Sequence, residues 1–580
     1  MTYSYDFDLS RRLATASAAP KWHWLSLLLL PAVVTIAVPD WMYSLTHAID
    51  AWVYHGFFHH LETYASTMFP PTYYGTRLAW IVPGYVAYRV FSPVVATVIL
   101  HLTFYCVAVW SLYAIVRRIA GSSAALFSAV AFGLYLPAIR ALGWDYVDGA
   151  VIAYMLLTLA LLLRGIETGN RWLTFASGVA AGAMLHSNIG AAFTFPSILI
   201  WFLPDRPIGL GWRPLFLQLL WWGAGIVTCT AILSVVSVSV GGNWDFFMPS
   251  FRWMVQQRLV NPWDVTGFSW IATAPWFFLP AAVCGASLVV WFLPQRRQEL
   301  TAGRRRAIAS LVLCSVIFAV WDWAGNGALL YTYYYTSWLL PWSFIAIGAV
   351  LAGTSERARL DVAIVLACAL AMVFSLVWPS SVRLPLTGVA AFALTIALMI
   401  GVALMRQAPP RRTAIVAALV CLHGWLSTTS DFGPYPDRAD GFHVINRGLG
   451  IVDRYITAEQ PRFLLAPPQK LAHYVQGLTS IYLWGYTIAS NKFPEIAPEQ
   501  ARQIRAGTRV VVIAEQENAA APFDQVFAPY GVSGRVMGSE QLMTQHGPLY
   551  LTFLEAMEVA SADASQSADS QAASPTPDRP

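Results

Sequence analysis

Long apolar stretches recur from residue 24 to residue 429, separated by short segments rich in arginine and proline. This pattern limits the chain more than any other feature. About 20 helical residues cross the roughly 30 Å of bilayer hydrocarbon. Inside it each backbone N–H and C=O needs a partner within the protein, so only helices and closed barrels can cross. Continuous apolar runs, as opposed to alternating ones, select helices. The expected spans are 24–38, 93–116, 123–142, 149–164, 172–186, 189–203, 214–239, 271–294, 307–324, 335–353, 361–378, 386–405 and 413–429, about thirteen in all. The apolar run after the polar residues 1–23 superficially resembles a secretory leader, but with further spans behind it we read a first membrane anchor.

Charge supports the same reading. Only 12% of the 580 residues are charged, against about 25% in soluble proteins. With residues 1–23 in the cytoplasm, Arg117/Arg118, Arg164/Arg171, Arg206/Arg213, the Arg296–Arg306 cluster, Arg357/Arg359 and Arg406/Arg411/Arg412 all fall on that side. The opposite loops hold only Arg77, Arg89, Arg140, Arg252, Arg258 and Arg383. That asymmetry is the positive-inside rule, and an odd number of spans then sends the C-terminus outside. The net charge of +5 implies no nucleic-acid partner. All six cysteines lie in apolar runs and are read as packed thiols. No GxxxxGK[ST], GxGxxG or HExxH motif occurs, which removes support for an ATP-driven pump, a dinucleotide enzyme or a zincin.

Residues 430–558 differ in kind. Short apolar runs at 509–514 and 549–554 alternate with polar helix-like pieces, predicting a small α/β domain. From about residue 559 the tail is Ser, Ala, Asp, Gln and Pro, too polar to build a core and expected to be disordered. The expected fold is therefore an all-α polytopic membrane region over 24–429, with a large first outer loop at 39–92 and an extracytoplasmic α/β domain at 430–558.

Polar residues gather in the outer loops. The loop 39–92 carries Asp50, Tyr54, His55, His59, His60, Glu62 and the run Tyr73-Tyr74-Gly75-Thr76-Arg77, interleaved with aromatics as in helices lying along a membrane interface. The next outer loop runs from Arg140 through Trp144-Asp145-Tyr146-Val147-Asp148-Gly149. Carboxylates at a membrane edge are costly unless hydrated, paired or used, though Asp145 and Asp148 would also serve to cap the following helix. His59 and Glu62 are weak candidates for a divalent metal. The rim Trp321 to Tyr335, including Tyr334, reads first as an interfacial aromatic belt and second as a sugar-stacking surface.

The runs Ile49-Asp50-Ala51-Trp52-Val53-Tyr54, Tyr73 to Leu78 and Trp144 to Gly149 resemble those of the GT-C superfamily of polytopic glycosyltransferases, especially the family-39-like and RgtA/B/C/D-like members. The resemblance covers roughly residues 24–430. Where such proteins carry two acids in the first outer loop, this chain has Asp50 followed by Ala51, so a single acid is transferred. The resemblance implies an inverting transfer of a sugar from a polyprenyl-phosphate donor to a glycan, lipid or protein acceptor at the outer face of a bacterial inner membrane. Asp50 would be the base, with Asp145 or Asp148 as second acid. Arg77 and Arg140 would hold the donor phosphate through forked pairs, and Tyr54, Tyr74, Trp144 and Tyr334 would contact sugar or acceptor. The rival is a transporter or flippase of lipid-linked intermediates, for which midplane ionisable groups and internal repeats would be expected.

Overall fold

The computed structural model describes residues 20–44, 49–65, 73–143, 146–203, 212–257, 278–293, 300–324, 329–330, 333–351, 358–377, 409–426, 438–455, 462–466, 488–490, 501–517 and 520–558, with isolated residues between 393 and 401 and between 471 and 481. It divides into two compact units. The first comprises residues 1–44 and 57–436, and the second residues 45–56 and 437–580.

The first unit is helical. Its elements include α1 (Lys21–Ala37), the second half of α2 (Ile49–Thr63), α3 (Leu78–Val90), α4 (Pro93–Ala120), α5 (Ser122–Leu134), α6 (Leu136–Gly143), α7 (Asp148–Thr168) and α8 (Arg171–Ser187). After the short α9 (Phe195–Leu199) come α10 (Trp212–Ser239), α11 (Met248–Gln257), α12 (Phe278–Phe292), α13 (Ala302–Ala324), α14 (Tyr333–Thr336), α15 (Leu339–Leu351), α16 (Ala358–Val377) and α17 (Pro409–Leu426). On α1 the buried residues His23, Leu27, Leu30 and Val34 recur at helical spacing, while Leu25, Leu28, Leu29 and Ile36 are exposed. Along α10 Phe216, Leu217, Leu220, Val227, Ile232, Val235 and Val238 are exposed as well. Apolar faces of this extent suit lipid and not water.

Local chemistry sets the helix ends. Pro93 opens α4, where its missing N–H is no loss. Gly169 ends α7 in the left-handed region at φ 64°, and Asn170 then caps α8 by accepting from the Trp172 and Leu173 amides. Helix contacts follow membrane rules, with small residues at the seam and hydroxyls bonding to facing carbonyls. Ser177 Oγ donates to Thr158 O at 2.8 Å, joining α8 to α7. Ser197 and Ser310 donate to each other's carbonyl oxygens at 2.9 Å, joining α9 to α13. Where α8 crosses α10, a Cβ on Gly178 would stand 2.0 Å from Trp222 O, and one on Gly225 2.1 Å from Phe175 O.

Two expected spans have a different form. The stretch 123–142 is two helices, α5 and α6, bent by 65°. Tyr135 between them is extended at ψ 114°; Pro137 has no N–H to bond Gly133 O and its ring crowds that carbonyl, which accepts instead from the Tyr105 hydroxyl at 2.9 Å. The stretch 189–203 is a 3-10 turn (Ile189–Thr194), then α9, then a second 3-10 turn (Ile200–Phe202). Among the described residues three helices, α4, α7 and α10, are individually long and apolar enough to cross a membrane, or four spans if the bent pair is one. The expected count of thirteen is thus not reproduced by length and composition alone. Most of the expected span 386–405, and the tail from 559, lie outside the described residues.

The second unit is a small α/β domain, as the alternation in 430–558 predicts. Its described residues form α18 (Arg438–Tyr455), α19 (Ala520–Phe527) and one mixed sheet ordered β2-β1-β3-β5-β4. The strands are β1 (Arg462–Leu465), β2 (Ile488–Ser490), β3 (Arg509–Ala514), β4 (Val532–Thr544) and β5 (Gly547–Glu558). β1 runs parallel to β2 and β3, and β5 antiparallel to β3 and β4. Phe523 and Phe527 of α19 join Val510, Val512 and Leu554 in one core cluster. On α18, Tyr455 stacks on Phe553 of β5 with ring centroids 4.0 Å apart. The unit also includes the start of α2, where Trp52 and His55 lie 5.8 and 5.2 Å from the ring of Phe442 on α18.

Candidate functional site

Burial of charge picks out the site in the first unit. Among its described residues the buried charged side chains are Arg77, Arg140, Asp148 and Asp322. Such groups are expensive to desolvate and persist where they are partnered or used. Asp322 has a structural employment: its two oxygens accept the Leu329 and Leu330 amides at 2.7 and 2.6 Å, closing the turn after α13.

Arg77 follows a single 3-10 turn, Tyr74–Thr76, which Thr76 tightens by donating Oγ1 to Tyr73 O at 2.6 Å. Arg77 then leads into α3 and is 4% exposed. Its guanidinium lies 5.1 Å from the Tyr73 ring, 6.0 Å from Tyr74 and 5.2 Å from Tyr146, within the range of cation–π attraction. Tyr73 is stacked on both Tyr74 at 4.2 Å and Trp253 of α11 at 4.7 Å. The Thr76 and Ser250 hydroxyls are hydrogen-bonded, which ties α11 to the same turn. The arginine is therefore flanked by tyrosines from two separate segments of sequence, one of which is braced by Trp253 from a third.

Arg140 and Asp148 sit on consecutive elements. Arg140 lies in α6, and Asp148 is the first residue of α7. Helices α6 and α7 approach closely because Gly149 has no side chain: a Cβ there would stand 2.9 Å from Ala141 O. His101 Nδ1 is hydrogen-bonded to Leu142 O at 2.9 Å, which fastens α6 to α4. Asp148, itself buried, accepts a hydrogen bond from Trp338 Nε1 at 3.0 Å. Arg77, Arg140 and Asp148 all have further partners besides these. A buried guanidinium offers a rigid fork of N–H donors that matches phosphate oxygens. The adjoining tyrosine and tryptophan faces suit a sugar or an isoprenoid chain.

The remaining candidates lie elsewhere. Asp50 is in the first turn of α2 and half-buried, and Tyr54 is fully buried; both belong to the second unit. Trp144, Asp145 and the side chain of Tyr334 lie outside the described residues. Glu62 accepts hydrogen bonds from Tyr85 and Arg89. The Tyr85 phenol, aided by Arg89, holds its carboxyl below the usual glutamate range. His59 packs edge-on against Tyr88 at 5.0 Å. Among the described residues no three His, Cys, Asp or Glu side chains are grouped to hold a metal, so His59 and Glu62 do not form part of such a group. Sequence reasoning passed over Trp338, Ser250 and Trp253. The one available signal was the indole N–H of Trp338, which needs an acceptor in an apolar setting.

No protein-family model matches the chain, and no curated protein sequence matches it. Among solved structures it is similar to ArnT from Cupriavidus metallidurans bound to undecaprenyl phosphate, with 16% identity, 92% of this chain and 98% of that chain covered, and a TM-score of 0.54. The apo state of the same protein gives 15% identity, the same coverage and a TM-score of 0.49. The arabinofuranosyltransferase AftD from Mycobacteria gives 14% identity over 93% of this chain and 40% of that chain, with a TM-score of 0.47. The likeness to undecaprenyl-phosphate-bound ArnT runs through nearly the whole of both chains, and on that ground this protein has the GT-C fold.

Proposed function

We propose that the chain is a membrane glycosyltransferase that moves a sugar from a polyprenyl-phosphate donor to an acceptor at the extracytoplasmic face. The observation that carries this reading is the buried Arg77, caged by Tyr73, Tyr74 and Tyr146 in a chain with the GT-C fold. The solved relative holds undecaprenyl phosphate, and two buried guanidiniums, Arg77 and Arg140, are the groups here suited to such a phosphate.

In the proposed reaction the acceptor hydroxyl attacks the anomeric carbon as the bond to the phosphate breaks. Asp50 takes the hydroxyl proton, Arg77 and Arg140 offset the negative charge gathering on the leaving phosphate, and the anomeric centre inverts. Asp148, oriented by Trp338, positions the substrate. The proposal retains about thirteen spans and a C-terminus outside the cytoplasm; a reporter fused after Asp431 would then be active only when exported.

The test uses the full-length chain in nanodiscs with undecaprenyl phosphate as probe. Each charge-assisted hydrogen bond contributes about 1.5–3 kcal/mol, so Arg77→Ala and Arg140→Ala should each weaken binding by about 10- to 100-fold. Unchanged binding in both variants would refute the phosphate assignment. Asp50→Asn should leave binding intact and lower transfer by about 100-fold or more; wild-type transfer in that variant would remove the base and favour a transporter.

A further inference from the structure

The six cysteines are all free thiols, and two of them face each other. Cys368 of α16 and Cys421 of α17 bring their Sγ atoms to 3.4 Å. A third sulfur adjoins them: Met372, one turn after Cys368, places Sδ 3.9 Å from Cys368 Sγ. The end of the Met372 side chain reaches α17 beside Gly424, where a Cβ would stand 3.7 Å from Met372 Cε. Cys368 and Met372 are buried and Cys421 half-buried. Of the polar groups nearby, Ser375 Oγ is bound to Met372 O at 2.7 Å. His423 lies two residues beyond Cys421, about 200° around the helix and so on another face. The stretches from Arg359 to Cys368 and from Arg412 to Cys421 are equal lengths of helix, about 14 Å at 1.5 Å per residue, which is near half of the hydrocarbon thickness.

We propose that Cys368, Cys421 and Met372 form a binding site for a soft monovalent cation, Cu(I). The donor set is entirely sulfur, and thiolate with thioether selects Cu(I); Zn(II) takes four ligands from cysteine, histidine and carboxylate. At a metal–sulfur distance of about 2.3 Å a trigonal ion needs sulfurs about 4 Å apart; the Cys368–Met372 spacing of 3.9 Å already matches, and the Cys368–Cys421 spacing of 3.4 Å opens by about half an ångström. A disulfide needs about 2.05 Å, a closure of more than an ångström, and a two-electron oxidant as well. Two S–H bonds break and their protons leave to water, two Cu–thiolate bonds form, and the thioether binds as a neutral donor. Ion and site together carry one negative charge, shared among soft sulfur donors, and copper keeps its oxidation state. Binding pins α16 to α17, and the inference does not depend on the glycosyltransferase reading.

The experiment titrates Cu(I), without oxygen, against a chromophoric Cu(I) chelator using the full-length chain in nanodiscs, and reads the metal's neighbours by X-ray absorption. We expect one Cu(I) per chain with three sulfur neighbours near 2.3 Å. A chain with Cys106, Cys229, Cys284 and Cys314 all changed to Ser should bind equally. Cys368→Ser or Cys421→Ser should lower affinity by at least about 100-fold, and Met372→Leu by about 10-fold. Met372→Leu conserves volume, so loss of one sulfur neighbour in that variant reads the site even if a cysteine variant fails to fold. Undiminished copper uptake by Cys368→Ser overturns the proposal. So does the finding of two sulfur neighbours in both wild type and Met372→Leu, or of a chain that takes up no Cu(I) and has two fewer titratable thiols, an oxidised pair.

Discussion

Replacing Trp338 by Phe removes one atom group of consequence, the indole N–H that donates to Asp148 Oδ1 at 3.0 Å. Both residues are buried, so water does not take its place. Losing a hydrogen bond to a charged buried partner costs about 1.5–3 kcal/mol, and shrinking the ring adds a cavity cost of its own. A double-mutant cycle separates the two, because the cavity cost is common to Trp338→Phe with and without Asp148→Ala and cancels. The coupling should therefore be about 1.5–3 kcal/mol, a factor of roughly 10 to 100 in the folding equilibrium. It is measured as the difference in unfolding free energy among wild type, the two single variants and the double variant in lipid nanodiscs. A coupling below about 0.5 kcal/mol, the ordinary scatter of additivity, would refute the claim that the indole holds the carboxylate. If Asp148 positions substrate, Trp338→Phe should also slow transfer without abolishing it.

Three further outcomes are expected. Phe442→Ala removes the ring against which Trp52 and His55 pack; it should destabilise the second unit by about 3–5 kcal/mol and raise amide exchange over residues 49–56, and unchanged exchange there would count against the packing. Tyr85→Phe should raise the Glu62 pKa toward the ordinary glutamate value, read by carboxyl NMR. Because the folded value is depressed, the stability from this contact is present above the unfolded pKa and is lost as pH falls through the folded one. Gly225→Leu drives a side chain into Phe175 O and should abolish monodisperse protein; normal yield would disprove the close crossing of α8 and α10.

Much of the first unit was readable from sequence, because charge in an apolar setting is a local signal. Arg77, Arg140 and Asp148 stand out in the sequence for the same reason that they stand out by burial. The bend between α5 and α6 is also legible in Pro137, whose missing N–H and ring break the hydrogen bond to the carbonyl four residues back, although the stretch is apolar enough to read as one span. What could not be read were contacts between distant segments. Trp338 and Asp148 are 190 residues apart, and nothing in either neighbourhood names the other. Trp253 lies on α11, far from Tyr73 in sequence, and only folding stacks the two rings. Likewise the start of α2 reads as part of the membrane region, whereas Trp52 and His55 spend their apolar surface on Phe442. The thiol pair shares that obscurity, since packed cysteines look alike in a hydrophobic run whether or not they meet.

The turn at Gly169 and Asn170 has a consequence in time as well as in space. It joins α7 to α8 with almost no intervening chain, so the entropy of closing that loop is small and its contacts are among the most local in the first unit. A helical hairpin of this kind can assemble as soon as both halves have left the ribosome, before α10 exists to dock on the glycines of α8. Asp148 heads the first of those two helices. Its partner Trp338 arrives much later in synthesis, so until then the carboxylate lacks the indole hydrogen bond that it accepts in the folded protein.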